Sequence, residues 1–499
     1  MSSSVLAWGS IALYVAVTAA LAYRGYRKTK SLESYAVGAG DIAPWVVGLS
    51  LSAQLTSVAT FVVNPGLVFA YGTAGFLGFG LAAGLGIILG LLIFTHAFRR
   101  VGLKVAALSV PGWIGKRYDS KGLQVSFGVV SLSLVTYAVL IVVAIAHMLH
   151  LLLGVDTTWI ALAVIVFVFG YVMLGGVNTH AYTNAIQAII MLVVAVLLVG
   201  SGLPLLWQGE GLFARLAAQD PVLVAVTNPQ SLYFRNLFEV FVCNFVVGLA
   251  LVCQPHILSK ALYLKQDRDV RRFLAVGLGA GLFFLMVMSV GLFARLELPA
   301  TVAIDKVVAT YIVSHFTPGL TVLISIGILC AGISTLEGIL LGLTTIVSTD
   351  LYLTVFGSRL QGLDAETRGL KALRVGRWSY LVLGLVTFGL SRWQIVDPVG
   401  GSVAIFAQYG VYLLITASIW PLAAGMFLPG ARRHAVVAGT AVALAGFGLS
   451  ALVGFTVMHN NPAFLATVGI LSGGVVFAVL QWVVPARQPS PAPERAVPV

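Results

Sequence analysis

Apolar residues run in blocks of about twenty along the whole chain, separated by short polar connections. A helix needs about 20 predominantly apolar residues to cross a bilayer. On that measure the pattern predicts thirteen membrane spans: 5–23, 44–70, 74–97, 124–153, 158–175, 182–206, 236–258, 273–295, 319–348, 377–391, 401–428, 435–457 and 464–484. Two of them are broken by their own residues. Span 44–70 carries the polar run LSAQLTSVAT (51–60) and then Asn64-Pro65-Gly66. Span 236–258 ends in GLALVCQPHILSK, with Gly248 and Pro255 framing the break. Proline removes a backbone donor and clashes with the preceding turn. Irregular backbone at membrane depth is tolerated only where it lines a cavity or is buried in protein. Two interrupted helices with four spans between them suit an inverted-repeat transporter, whose half-helix ends bind substrate and ions.

Span 319–348 is polar at its middle. Ala331, Ser334 and Thr335 stand at i, i+3 and i+4, so one helix face presents a small residue and two hydroxyls. Hydroxyl and carbonyl oxygens are ligands for a small hard cation. Glu337 follows two residues on, and a carboxylate in hydrocarbon marks a functional position by default.

Composition sharpens the class. Hydrophobic residues make up 59% of the chain and charged residues 9%, against about 25% charged in a soluble domain. The chain is therefore an all-α polytopic membrane protein. The net charge of +12 signals topology, since no basic face suited to nucleic acid is visible. Twenty-four of the 29 basic residues, Lys260 among them, fall on alternate connections taken as cytoplasmic; Arg215, Arg235, Arg295, Lys306 and Arg392 fall on the other side. The positive-inside rule then puts the N-terminus outside and the C-terminus in the cytoplasm. Residues 5–23 have no basic n-region or cleavage site ahead of them and are expected to remain as a span. Cys243, Cys253 and Cys330 lie in apolar spans and are expected to pack as small residues. The Pro-rich stretch 485–499 is expected to be a disordered cytoplasmic tail.

Four stretches carry a resemblance: TSVATFVVNPGLVFAYG (56–72), GGVNTHAYTNAIQAIIM (175–191), QPHILSKAL (254–262) and AGISTLEGILLGLTTIVSTDLY (331–352). With them the chain resembles the sodium/solute symporters, the group of sodium-coupled sugar, proline, pantothenate, sialic acid and monocarboxylate carriers. The resemblance implies a transporter domain over 1–484 with a core of the LeuT type, an inverted repeat of five helices. The first repeat would be 44–206 and the second 236–428, with 401–428 its last helix. One peripheral helix, 5–23, would precede the core and two, within 435–484, would follow it. It also implies a sodium site built from the carbonyls of Ala53, Thr56 and Ala331 and the hydroxyls of Ser334 and Thr335.

Two departures from the family pattern matter. Some relatives carry a second sodium site with an Asp where this chain has Asn184, and Glu337 and Gly338 stand where further hydroxyls would be. The carboxylate has moved between spans, so Glu337 near Asn184 is the candidate for a second cation or a proton. Proline-type relatives line their pocket with aromatics where this chain has Val247 and Leu251, which favours an organic acid, such as a monocarboxylate or pantothenate, over proline or sugar. Candidate pocket groups are Gln54, Ser57, Thr60, Asn64, Asn244, Val247, Leu251 and Gln408. The sequence offers no evident intramembrane Arg or Lys as counter-ion for an anion, so helix N-termini and sodium would supply the positive charge.

The remaining polar groups in spans receive milder readings. Glu239, His147 and His150 are placed at the outer interface. His256 is placed at the cytoplasmic exit. Asp350 is expected to cap the next segment or pair with a loop arginine. No stretch reads G-x-x-x-x-G-K-S/T or H-E-x-x-H, so enzymatic ATP or zinc chemistry has no support. The expected function is sodium-coupled symport of a small organic solute by alternating access, in a bacterial inner membrane, by a monomer in contact with lipid and no nucleic acid. The alternatives are a proton-coupled symporter of the same fold using Glu337 and, more remotely, a transporter-like sensor.

Overall fold

The computed structural model describes residues 3–38, 42–207, 209–399, 402–453, 458 and 460–483. The expected tail 485–499 and the middle of the last connection lie outside them. Among the described residues every element is helical. The apolar runs form α1 (Val5–Lys28), α2 (Pro44–Leu55), α3 (Ala59–Tyr71), α4 (Thr73–Lys104), α5 (Lys121–Leu153), α6 (Thr157–Leu206), α7 (Phe238–Leu251), α8 (Pro255–Tyr263), α9 (Asp267–Glu297), α10 (Pro318–Leu360), α11 (Ala365–Val396), α12 (Val403–Phe427), α13 (Arg433–Val453) and α14 (Pro462–Val483).

Local chemistry sets many of the ends. Asp156 accepts a hydrogen bond from the Thr158 amide and starts α6, and Ser402 does the same for Ala404 at α12. Gly154 closes α5 in the left-handed region, with φ of 70°. Both expected breaks are present. α2 and α3 meet at 50°, and α7 and α8 at 56°. The first break follows Leu55, where Thr56 leaves helical geometry; the second has Gln254 extended before Pro255.

The count of thirteen spans is not reproduced as such. Ten helices in the described residues are long and apolar enough to cross a membrane, or twelve if each bent pair is one span. The difference lies in α6, into which the expected spans 158–175 and 182–206 merge. A straight helix of 50 residues would measure about 75 Å, far beyond a bilayer. Gly176 resolves this with φ 59° and ψ −158° inside the run, a conformation open essentially to glycine alone.

α10 is the centre of the bundle. From Ile324 to Leu341 every residue of it is buried. It packs against α6, α5 and α2, while α6 also contacts α1 and α2. α9 lies along α2, α4 along α7, and the hairpin α13–α14 against α12. Lipid-facing helices can be apolar all round; a buried one can carry polar groups if they find partners. α10 does so with Ser334, Thr335 and Glu337, all buried. Cys243, Cys253 and Cys330 are buried free thiols within the packing.

Candidate functional site

The end of α2 leaves backbone carbonyls without helical partners, as any helix end must. α10 supplies the groups that meet them. Ser334 Oγ lies 3.1 Å from the Ala53 carbonyl oxygen and 3.0 Å from that of Ala331. Thr335 Oγ1 lies 3.2 Å from the Ala331 carbonyl and 3.5 Å from that of Gln54. A hydroxyl has a single proton and further lone pairs, so this cluster holds more oxygen acceptors than protons. Neutral oxygens in that number are what a monovalent hard cation requires. Thr56 is the residue at which α2 stops, beside the cluster in sequence. The break thus gathers Ala53, Ala331, Ser334 and Thr335, with the Gln54 carbonyl as an unforeseen neighbour.

Glu337 is one turn further along α10 and fully buried. Its Oε1 accepts from the Tyr171 hydroxyl and from Gln187 Nε2 at 3.1 Å. Its Oε2 accepts from Thr183 Oγ1 at 2.8 Å and lies 3.2 Å from His180 Nδ1. All four partners are on α6. Asn184 does not bond Glu337: its Nδ2 donates to the Ser334 carbonyl at 3.3 Å and lies 3.5 Å from His180 Nε2.

His180 links the carboxylate to a cation. Lys260 Nζ lies 3.2 Å from His180 Nε2 and donates to Ser50 Oγ at 2.6 Å. Gln54 Nε2 is 2.9 Å from the same ring nitrogen. An ammonium has no acceptor, so Nε2 must accept, which leaves Nδ1–H to donate to Glu337. Lys260 is fully buried. This corrects two expectations: Lys260 is no cytoplasmic loop charge, and the bundle does hold a cation. Burying either charge alone is costly, and together they compensate.

Beside the cluster lies a central cavity of about 150 Å³. Gln54, Ser57, Thr60 and Asn64 line it from the first broken helix, Asn244, Val247 and Leu251 from the second, and Gln408 from α12. All eight expected pocket residues therefore share one cavity. Tyr137, whose hydroxyl donates to Ser57 Oγ at 2.7 Å, closes another wall. Asn244 spends its amide on the Glu239 and Val240 carbonyls, at 2.8 and 3.2 Å.

His256 lines the cavity and also a narrow pocket shared with Ser109, Ser259 and Tyr263. Glu239 is buried in the first turn of α7, where it pairs with Arg235 at 2.6 Å and accepts from Asn461 at 3.0 Å. Asp350 neither caps nor meets an arginine, but accepts from Ser109, Gln124 and Thr349. His150 is exposed and His147 only half-buried.

Sequence reading passed over Tyr171, His180, Thr183, Gln187, Gln254 and Lys260. A signal existed for three of them: positions 180, 183, 184 and 187 recur at helical spacing inside an apolar span. Tyr171 lies beyond the Gly176 turn, and nothing local ties it to Glu337.

Among the described residues, a helical bundle with two helices broken beside a central cavity, and a carbonyl–hydroxyl cluster at one break, has the architecture of a membrane transporter. The comparisons with known proteins agree. Residues 35–441 match the model of the sodium:solute symporter family. A sodium/pantothenate symporter of Haemophilus influenzae is 23% identical over 457 residues, covering 89% of this chain and 90% of that protein. The substrate-bound, outward-open structure of a Na+-coupled sialic acid symporter superposes with a TM-score of 0.79 at 17% identity, over 97% of this chain and 99% of the other. The chain belongs to the sodium:solute symporter family.

Proposed function

We propose that this symporter binds its sodium ion at Ala53, Thr56, Ala331, Ser334 and Thr335 and carries a small organic acid in the adjoining cavity. The observation that carries the reading is the approach of the Ser334 and Thr335 hydroxyls to the carbonyls at the end of α2, next to a cavity that Gln54 also lines. Sodium there holds α2 against α10, and the cavity forms between the same broken helices. Ion and solute then each favour the state that the other binds, as coupling requires. An organic acid suits the centre for three reasons. The α7 wall offers Val247 and Leu251 and no aromatic ring. A bound sodium would add uncompensated positive charge, because Lys260 and Glu337 balance one another. One relative is a pantothenate carrier. The solute would be drawn inward by alternating access in a monomer of the cell membrane, with its N-terminus outside.

Uptake into proteoliposomes under an imposed sodium gradient tests this, with pantothenate, monocarboxylates, amino acids and sugars as probes. The expected result is sodium-dependent accumulation of an organic acid, abolished in Ser334→Ala/Thr335→Ala. Accumulation unchanged in that variant would remove the ion site.

A second reading is favoured by one observation, the bonding of Glu337 to His180 and through it to Lys260. It makes Glu337, near Asn184, the seat of a second cation or of a coupled proton. Uptake that ignores sodium and follows a proton gradient would select it.

A further inference from the structure

His256 belongs neither to the carbonyl–hydroxyl cluster nor to the Glu337–His180–Lys260 array. It follows Pro255 in the first turn of α8 and is 3% exposed, yet neither Nδ1 nor Nε2 has a hydrogen-bond partner. A neutral imidazole carries one donor and one acceptor, and burying both unmet is costly. No neighbour relieves this. The Tyr137 ring lies 6.5 Å away by centroids, and its hydroxyl is given to Ser57. Lys260, one turn on, is engaged with Ser50 and His180.

The same cavity holds three further unmet groups, the buried side-chain oxygens of Gln54, Gln254 and Gln408. Two of these amides are fixed in orientation. Gln254 Nε2 donates to the Leu251 carbonyl at 3.1 Å. The Gln54 amide donates to His180 Nε2, which must be an acceptor because Lys260 also donates to it. Their oxygens therefore stay acceptors. The residues lining the cavity thus include an imidazole able to donate and carboxamide oxygens able only to accept.

We propose that His256 is the solute-recognition residue of this symporter. Its ring N–H holds the carboxylate of an organic acid, whose hydroxyl or amide N–H groups fill the oxygens of Gln54, Gln254 and Gln408. The inference rests on the organic-acid reading above and narrows it: acids with hydroxyl or amide donors are preferred over acids with none. Seated on the first turn of α8, His256 also brings the solute into contact with the half-helix that carries Lys260.

The test is sodium-driven uptake in proteoliposomes by the wild type, His256→Gln and His256→Leu. The probes are pantothenate (a hydroxy amido acid), lactate (a hydroxy acid), propionate (no donor) and the neutral alcohol analogue pantothenol as competitor. The wild type is expected to take pantothenate or lactate in preference to propionate. His256→Leu should raise the half-saturation concentration of the preferred acid by about tenfold or more, the loss of one charge-assisted hydrogen bond, with maximal rate and sodium dependence within about twofold. His256→Gln, which keeps a side-chain N–H, should recover most of that loss. Pantothenol should compete about tenfold more weakly than pantothenate against the wild type and equally well against His256→Leu. An unchanged half-saturation concentration in His256→Leu overturns the proposal. So does a wild type that fails to distinguish acid from alcohol, a result that needs no variant to fold. If neither pantothenate nor lactate is carried, the organic-acid reading fails and the proposal with it. If the His256 pattern appears without sodium dependence, the sodium assignment alone fails.

Discussion

A Cβ placed on Gly338 would lie 1.4 Å from the Gln54 amide nitrogen. Glycine is needed there so that the Gln54 side chain can cross toward His180. That side chain has unusual reach. Its amide touches the ring that bridges Lys260 and Glu337, its oxygen is buried without a partner, and its backbone carbonyl lies near the Thr335 hydroxyl. Gly338→Ala should push Gln54 aside while leaving α10 helical, since alanine favours helix by about 1 kcal/mol over glycine. The expected outcome is a purified variant of normal helical content by circular dichroism whose sodium-driven uptake falls by about tenfold or more. Residue-scale chemistry was partly legible. Ser334 and Thr335 announced themselves because two hydroxyls on one face of an apolar helix have few uses. Lys260 did not, because a lysine just past a proline reads as a loop charge unless the second half of the broken helix is known to turn inward.

Among elements, the two broken helices were visible before any coordinates, since the polar run 51–60 and Pro255 each interrupt an apolar stretch, whereas Pro65 stands inside α3. What they would meet was not. The register that sets Glu337 against Tyr171, His180, Thr183 and Gln187 depends on the turn at Gly176, and a glycine in an apolar run gives no indication of φ. The same turn explains why the pattern yields thirteen segments while helix lengths yield ten to twelve. The Lys260–His180–Glu337 array joins α8 to α6 and α10 and holds the second half of that broken helix in place. Removing one buried charge leaves the other uncompensated, a loss of roughly 3–5 kcal/mol. Lys260→Met and Glu337→Gln should each lower the thermal midpoint of the detergent-purified protein. The double variant should lose less than the two together, with a coupling of roughly 0.5–3 kcal/mol. Strict additivity would show that the two charges do not sense one another through His180.

For the whole molecule, hydropathy and charge asymmetry were enough to give the class, because a bilayer permits few spanning structures. The centre was harder, because its polar groups come from segments far apart in sequence. Lys260 rides on α8, which is hinged to α7 by the break after Leu251, while Glu337 stays on the scaffold helix α10. Any rearrangement that swings α8 away from α2 and α6 carries a lysine ammonium through part of the transmembrane field. A full elementary charge crossing 100 mV gains or loses about 2.3 kcal/mol, and a partial crossing does so in proportion. If α8 swings in this way, the unloaded protein moves a charge of its own although no ion is aboard. A voltage step in sodium-free, solute-free solution should evoke a capacitive transient, and Lys260→Met should abolish it.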